Sequence, residues 1–581
     1  MNSGLKLVKY LKPYRRWIIL APLLMMMEVF MDLMQPRMIQ RIVDQGIANL
    51  DMALVLQTGL LMVGLAVIGA TGGMSNGYFA ELTVQGFGAD LRERLFRKVQ
   101  TFSFRNLDEF ETGQLITRLT SDVTQVQEGV LIILRMLVRA PLLLVGSLIM
   151  AIITSPQLAF LPLVLMPIEL AAVVWIVNRA TPLYTIVQTK LDRLNSVMQE
   201  NLAGVRVVKA FARPDHEIHR FSNANQDLTE RSVTAARTVA IMPSFMMFTL
   251  NLGVVAVLWF GGVQVTRGTM QVGQIIAFVN YLITTLFSLM MVSQMVIQFA
   301  RAEASARRIQ EILESTPDVQ DAPQAREQSP AAGRVAFENV TFGYDGGRAE
   351  PVLKGVSFNA EPGQTVALLG TTGAGKSSLV NLIPRFYDVS AGRVLVDGRD
   401  VRDYDQKALR RAIGIAQQET VLFSGSIADN IRYGRPDASD AQVIAAAQAA
   451  QAHDFIQNLP DGYDTQVGAR GVNLSGGQKQ RITIARALLI DPAVLILDDS
   501  TSAVDVETEA RIQDVLEHSK GRRTSLVIAQ RISTVLNADK ILVLENGQIA
   551  AQGSHRELLA NSPIYQDIYN SQLGGGEVNR E

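Results

Sequence analysis

Long apolar runs alternate with polar segments through the first half of the chain. Crossing the ~30 Å hydrocarbon core of a bilayer as a helix takes about 20 apolar residues. Runs of this length are unusual for buried helices of a soluble all-α core, so the pattern predicts six membrane-spanning helices. The predicted spans are Trp17 to Met34, Leu54 to Phe79, Val130 to Ile153, Leu158 to Val177, Phe245 to Val265 and Val272 to Phe299.

The connections between these spans alternate in length and charge. Long, Lys- and Arg-rich segments at 80–129 and 178–243 follow the second and fourth spans, and the N-terminal segment is also basic. The short loop after the first span is acidic. By the positive-inside rule, both termini, both long loops and the second half lie in the cytoplasm. We expect a multi-pass protein of the cytoplasmic (inner) membrane of a prokaryote, with a retained first helix rather than a signal peptide.

Each long connection has helical periodicity and predicts two antiparallel helices with a bend. About 25 residues of helix extend roughly 37 Å, so the membrane helices would project far into the cytoplasm. The bends fall near 102–115 and 205–217. A connection of this length predicts a role beyond joining two spans.

The second half reads as a separate α/β domain. Short β-rich runs such as TVALLG, AVLILDD and TSLVIA alternate with helical segments, which is typical of a largely parallel sheet. The predicted boundaries are 1–318 for the transmembrane domain, 319–333 for a polar linker, 334–573 for the α/β domain and 574–581 for a tail.

The amino-acid composition limits the kinds of site and partner that the chain can have. The chain has 581 residues, a formal net charge of −1 and no cysteine. Thiolate metal sites, disulfides and cysteine nucleophiles are therefore excluded. The balanced charge gives no reason to expect a nucleic-acid partner.

The segment GTTGAGKS fits the phosphate-binding loop pattern, directly after a predicted strand and before a predicted helix. Its glycines let backbone N–H groups surround phosphate oxygens at a helix N-terminus. Lys376 would reach the β- and γ-phosphates of ATP, and the Ser377 hydroxyl would bind Mg²⁺. The predicted nucleotide-binding residues of this segment are Gly370, Thr371, Thr372, Gly373, Ala374, Gly375, Lys376, Ser377 and Ser378.

The run VLILDD reads as a buried strand that ends in two carboxylates. Asp498 at its end would hold Mg²⁺ through the water shell of the ion, as in P-loop ATPases.

The segment NLSGGQKQR precedes Asp498 and makes the resemblance specific. The chain resembles an ABC exporter half-transporter over nearly its whole length. The resemblance implies a RecA-like ATPase domain with antiparallel β and helical subdomains. It also implies that two ATPase domains meet head to tail, each ATP lying between one P-loop and the signature segment of the other chain. The matching signature residues are Leu474, Ser475, Gly476, Gly477 and Gln478.

Further positions match by the same resemblance. Tyr344 would stack on adenine, Gln418 would sense Mg²⁺, and Asp505 would lie at the dimer interface. The two bends resemble coupling helices that dock on ATPase domains; the alternative is a solvated helical hairpin.

Three positions depart from the family pattern. Asp499 stands where the general base is usually Glu, and it is shorter by one methylene. Gln530 replaces the usual switch His; an amide donates a hydrogen bond but has no titratable proton. Ala469 replaces a Glu that contacts the membrane-domain loops.

Asp499 and Gln530 would face the same γ-phosphate, whereas the signature segment, which serves the other site, is intact. We therefore expect a heterodimer with a second, similar half-transporter, in which this chain's own site binds ATP with Mg²⁺ but hydrolyses it poorly. The expected activity is ATP-driven export of hydrophobic or amphiphilic compounds. Open alternatives are a homodimeric lipid or peptide exporter and an ATP-gated channel or regulator.

Charged residues also occur within the spans. Glu28 and Asp32 lie one turn apart on the first span, and Arg135 and Arg139 lie one turn apart on the third. Ionisable groups at membrane depth usually face a cavity or a partner. They could contact charged amphiphiles or pair with one another.

Overall fold

The computed structural model describes residues 6–344, 350–518, 523–529 and 531–573. The chain forms two compact units. The first comprises residues 1–100 and 112–315, and the second comprises 101–111 and 316–581. Each unit is described by itself.

The described residues from 6 to 315 are helical nearly throughout. The helices are α1 (Arg15–Arg41), α2 (Met52–Val99), α3 (Phe104–Glu109), α4 (Thr112–Thr117), α5 (Val123–Thr154), α6 (Phe160–Ala203), α7 (Val205–Ala210), α8 (Pro214–Thr266) and α9 (Val272–Glu314). A 3₁₀ segment (Val8–Tyr14) and π segments (Ile42–Ile47, Arg118–Asp122) adjoin them. Helix α3 lies in the second unit, and the others lie in the first.

Six helices within the described residues are long and apolar enough to cross a membrane. The predicted number of spans is thus confirmed. These helices continue well beyond the apolar runs, up to 53 residues in Pro214–Thr266. The predicted long helical extensions are present because the polar connections keep a helical period to the bends.

Buried polar side chains bond helix backbones to one another inside the first unit. The Tyr281 hydroxyl donates to the Leu33 carbonyl at 2.9 Å, and the Asn76 amide donates to the Ala21 carbonyl at 2.7 Å. Since unpaired polar groups are costly in an apolar environment, such bonds favour one helix arrangement.

The described strands of the second unit form three sheets. The largest has the order β12-β11-β3-β10-β9-β6, with β12 antiparallel and the remaining strands parallel. An antiparallel sheet has the order β2-β1-β4-β5, and β7 pairs with β8. The strands are β1 (Val335–Phe342), β2 (Leu353–Ala360), β3 (Thr365–Gly370), β4 (Ala391–Val396), β5 (Arg399–Asp400), β6 (Ile413–Ala416), β7 (Gly425–Ser426), β8 (Gln466–Val467), β9 (Val494–Asp498), β10 (Thr524–Ile528), β11 (Lys540–Glu545) and β12 (Gln548–Gly553).

Helices cover the large sheet and build a separate helical layer. They are α10 (Lys376–Asn381), α11 (Gln406–Arg411), α12 (Ile427–Arg432), α13 (Asp440–Ala449), α14 (His453–Gln457), α15 (Gly476–Leu489), α16 (Val506–His518), α17 (His555–Asn561) and α18 (Pro563–Leu573). Short 3₁₀ turns occupy Val401–Asp403, Gly462–Asp464, Ala469–Gly471 and Ile532–Val535. The predicted α/β ATPase fold with antiparallel and helical subdomains is confirmed.

The segment predicted as a linker, 319–333, belongs to the second unit. Val319 is buried, and Arg326 forms backbone hydrogen bonds with Asp403 and Asp405. These bonds order much of the polar segment before β1.

Candidate functional site

The phosphate-binding loop connects β3 to α10. Gly370 at the strand end has φ +147° and Gly375 before the helix has φ +98°, values that side chains rarely adopt. A Cβ at Gly375 would lie 2.8 Å from the Leu353 side chain. Glycine is therefore required there for the loop to turn back into a helix with its N–H groups facing inward.

The Lys376 side chain folds back over the phosphate-binding loop. Its ammonium donates to the carbonyls of Gly370 and Thr371 at 2.8 and 2.9 Å. Burial lowers the pKa of Lys376, while the Asp499 and Asp498 carboxylates act in the opposite direction. A phosphate group entering the loop would supply a close countercharge for this ammonium.

Ser377 and Asp498 form an oxygen-rich pair suited to Mg²⁺. The Ser377 hydroxyl donates to Asp498 Oδ1 at 3.0 Å. Burial raises the pKa of Asp498, against the Ser377 hydrogen bond and the Lys376 charge, which lower it. Mg²⁺ prefers oxygen ligands, and it would offset the cost of holding this carboxylate charged in a buried position. These side chains fit the ion, and Gln418 lines the same cavity.

Asp499 directly follows the strand that carries Asp498. Its backbone has φ +47°, and its N–H donates to the Ile528 carbonyl at 3.2 Å. Its Oδ2 lies 3.4 Å from the Gln418 side-chain amide. The Asp499 carboxylate therefore faces the same cavity as the P-loop.

Tyr344 borders the cavity after β1. Its hydroxyl lies 2.9 Å from the Ser378 hydroxyl, and its ring stands edge-on to Tyr387 with centroids 5.2 Å apart. The side chain is 41% exposed, which leaves ring surface for an aromatic base to stack on.

One cavity of about 570 Å³ brings most of the predicted site residues together. A volume in the range of 300–1,000 Å³ is typical of small-molecule sites. Ala374 is buried behind the loop. The lining residues are Tyr344, Val352, Gly370, Thr371, Thr372, Gly373, Gly375, Lys376, Ser377, Ser378, Gln418, Asp498, Asp499 and Ile528. The apolar contributors Val352 and Ile528 carry no motif, so the sequence patterns do not indicate them.

The signature segment is separate from this cavity in the described part of the chain. Ser475 caps α15, where its hydroxyl accepts from the Gln478 N–H, and Gly476 is exposed beside it. None of the described residues from Leu474 to Gln478 lines the cavity. This helix N-terminus is available to a phosphate carried by another molecule.

Of the three remaining predicted positions, only Asp505 has a described side chain, and it does not line the cavity. Asp505 is exposed and accepts a hydrogen bond from the Thr508 N–H at 2.9 Å, at the start of α16. Gln530 lies outside the described residues, as does the side chain of Ala469.

Helix α3, at the first predicted bend, packs within the second unit. The Phe104 ring stacks on Phe386 with centroids 4.1 Å apart, and the Tyr387 hydroxyl donates to Asp108 at 2.8 Å. Burial and this hydrogen bond to Asp108 raise the pKa of Tyr387. Tyr387 in turn touches Tyr344, so α3 is two side chains away from the nucleotide cavity.

The predicted charges of the membrane helices are partly paired. Arg139 bonds Glu28 and also lies 3.3 Å from Asp32, whereas Arg135 is exposed. For Glu28, Asp32 and Arg139, an internal ion cluster is therefore present. A further carboxylate, Glu169, is not indicated by any motif; its only sequence signal is a single acidic residue inside the fourth apolar run.

A P-loop cavity with an Mg²⁺-compatible carboxylate, on a chain with six apolar membrane helices, defines a membrane-bound ATPase. Two known protein families match parts of this chain, and both are consistent with a membrane-bound ATPase. The ABC transporter transmembrane region matches residues 18–290, and the ABC transporter ATPase domain matches residues 353–502.

Curated relatives and solved structures extend the match to the whole chain. The uncharacterized ABC transporter ATP-binding protein YfiB of Bacillus subtilis is 42% identical over 569 residues, covering 98% of both chains. An ATP-dependent lipid A-core flippase of Syntrophus aciditrophicus is 37% identical, over 85% of this chain and 82% of its own. A bacterial Atm1-family ABC exporter with ATP bound has a TM-score of 0.81 and 28% identity, over 96% and 99% of the two chains.

The chain belongs to the ABC transporter family. It is a multi-pass membrane protein of the ABC exporter type, with an ATPase domain that drives transport by hydrolysing ATP. Exporters of this type function as dimers.

Proposed function

We propose that this chain is the poorly hydrolysing subunit of a heterodimeric ABC exporter for hydrophobic or amphiphilic compounds. Asp499 carries the proposal. Its carboxylate borders the nucleotide cavity where the family usually places Glu, and it is one methylene shorter. The shorter side chain withdraws the carboxylate by roughly 1.5 Å. Displacements of this size can lower a reaction rate by about 100-fold, because the reacting groups are no longer correctly positioned.

The contact with Gln418 supports the same conclusion. The Gln418 amide lies 3.4 Å from Asp499 Oδ2, so it contacts the carboxylate that a general base would need for the attacking water. Gln530 in place of the usual His removes a second titratable group from the γ-phosphate side, by resemblance to the family. Together these features support a site that keeps ATP and Mg²⁺ bound through many transport cycles.

The intact signature segment supports the heterodimer. Ser475, Gly476 and Gly477 open a helix, and such a helix start stabilises phosphate. In a mixed pair it would complete the hydrolytic site at the partner's P-loop. Transport would follow alternating access, with ATP binding closing the ATPase domains and hydrolysis at the other site reopening them.

The proposed substrate class and orientation rest on the charge of the loops and on the relatives. The basic long loops favour a cytoplasmic location for the ATPase unit and both termini, in the inner membrane. The resemblance to exporters favours outward transport. The lipid A-core flippase among the relatives favours lipids as a second substrate candidate after lipophilic drugs.

Purification of the chain alone tests the central point. In lipid nanodiscs, lipophilic compounds should raise its ATPase activity little above that of the Lys376→Ala variant. A similar half-transporter encoded beside it, with Glu and His at the two substituted positions, should restore turnover when co-expressed. Brisk stimulated turnover by the chain alone would contradict the heterodimer.

Vectorial movement tests the transport assignment. Inside-out vesicles with the pair should accumulate a lipophilic dye only while ATP is hydrolysed. Dye flux that follows its gradient on ATP binding alone would instead identify a channel or regulator.

A further inference from the structure

Glu169 is a carboxylate enclosed by the first unit. It lies on α6, nine residues after Phe160, which places it about 14 Å along the helix at ~1.5 Å per residue. Its side chain is fully buried, at 0% exposure. A charged group at such a depth is costly and usually has a specific task.

Other buried or half-buried acidic side chains of the first unit have partners. Arg139 bonds Glu28, Arg308 bonds Asp122, and the Gly273 N–H donates to Asp44 at 2.6 Å. Among the described residues, neither Oε1 nor Oε2 of Glu169 has a hydrogen-bond partner. A buried carboxyl group without any partner requires a specific explanation, either protonation or a ligand from outside the chain.

Glu169 lines a cavity of about 200 Å³ between α6, α8 and α9. An apolar cavity of ~150 Å³ is known to hold a benzene ring. This cavity is almost wholly apolar apart from the carboxylate, and Met247 and Phe287 on its border are more than half exposed. Besides Met247 and Phe287, the cavity is lined by Met246, Leu250 and Met290.

This lining favours one class of ligand. Methionine side chains adapt to irregular apolar shapes, and an aromatic ring attracts cations over its face. A ligand with a positive charge would pair with the carboxylate while its apolar part contacts the Met and Phe side chains. A neutral ligand would leave the carboxylate without a countercharge.

We propose that Glu169 is the anionic contact of a binding site for lipophilic cations, such as an aryl-substituted ammonium amphiphile. Since it names the substrate class of the exporter, this inference rests on the proposed function. A protonated Glu169 with only a structural role is the rival.

Binding of two matched probes tests this site in the full-length protein in nanodiscs. Benzyldimethyldodecylammonium is a permanent cation, and dodecyl benzyl ether has the same ring and chain without charge. Retention on empty nanodiscs is subtracted from both. Glu169→Gln should weaken binding of the ammonium by about tenfold and leave binding of the ether unchanged.

Two further variants control this result. Glu128→Gln removes an exposed carboxylate from the same unit and should alter neither probe. Glu169→Asp retains the charge and should retain a preference for the cation. Unchanged ammonium binding in Glu169→Gln, or an equal loss of both probes, would overturn the inference.

A measurement on the wild-type chain is independent of how well the variants fold. Dicyclohexylcarbodiimide labels buried carboxyl groups, and peptide mass spectrometry reports labelling at Glu169. The ammonium should reduce this labelling and the ether should not; equal labelling with both would overturn the site. Because neither assay needs turnover, absence of ATP-driven transport would refute the proposed function without affecting these results.

Discussion

The side-chain amide of Gln418 lies 3.4 Å from Oδ2 of Asp499, at the border of the nucleotide cavity. Both side chains line this cavity together with the P-loop. If the proposed function holds, we expect the length of the side chain at position 499 to decide whether a carboxylate reaches the water that attacks ATP.

Restoring the usual pair should activate this site. Asp499→Glu with Gln530→His in the purified chain should raise its ATPase activity by about 100-fold, because the longer carboxylate regains a position for general-base catalysis. The ATPase activity is measured as steady-state phosphate release in nanodiscs. Asp567→Glu, an exposed change of the same type on α18, should have no effect. No gain in the double variant would count against a degenerate site.

The signature segment should affect ATP hydrolysis at the partner's P-loop and should not affect ATP binding at this chain's own P-loop. Ser475→Ala should leave ATP binding at this chain's own P-loop unchanged and lower the ATPase rate of the assembled pair by at least about tenfold. Loss of the helix cap also costs about 1 kcal/mol of stability. Ser439→Ala removes an equivalent cap with the same capping box on α13, so it separates the two effects. Equal activity loss in both variants would attribute the effect to the cap.

Helix α3 should transmit nucleotide-driven motion. Phe104→Ala removes the ring stacked on Phe386, so we expect ATP affinity to persist while substrate moved per ATP hydrolysed falls several-fold. Tyr387→Phe, which removes only the hydrogen bond to Asp108, should cause a smaller loss. Phe102→Ala is the matched control, because Phe102 stacks on Phe110 instead. Undiminished coupling in Phe104→Ala would refute this role.

The Arg139 cluster should stabilise the membrane helices rather than select substrates. Arg139→Ala leaves Glu28, whose side chain is 15% exposed, without its cation and should lower the thermal midpoint by several degrees. Arg139→Ala with Glu28→Gln should recover most of that loss, since the less exposed carboxylate is neutralised together with its cation, and the Asp32 side chain that remains is 47% exposed and can be hydrated. Thermal unfolding in detergent measures both, and dye selectivity should stay unchanged. A midpoint in the double variant as low as in the single variant would contradict the pairing.

Much of the architecture is predictable from local patterns. The six spans follow from the length of apolar runs, and the P-loop follows from glycines and Lys376 placed between a strand and a helix. These are properties of neighbouring residues, which is why the fold class could be derived without tertiary information. Helix ends, by contrast, extend far beyond the apolar runs because polar residues continue the same helices.

The sequence by itself determined which residue types could serve ATP, including the unusual Asp499. Only the tertiary structure brought Ser377 within 3.0 Å of Asp498, a residue 121 positions away, because the order of β3, β10 and β9 aligns their carboxyl ends. It likewise decided that Arg139 pairs with Glu28, while the Glu169 carboxylate has no hydrogen-bond partner among the described residues. Contacts between distant residues depend on how helices and strands pack, and no local pattern encodes whether a buried charge finds a partner.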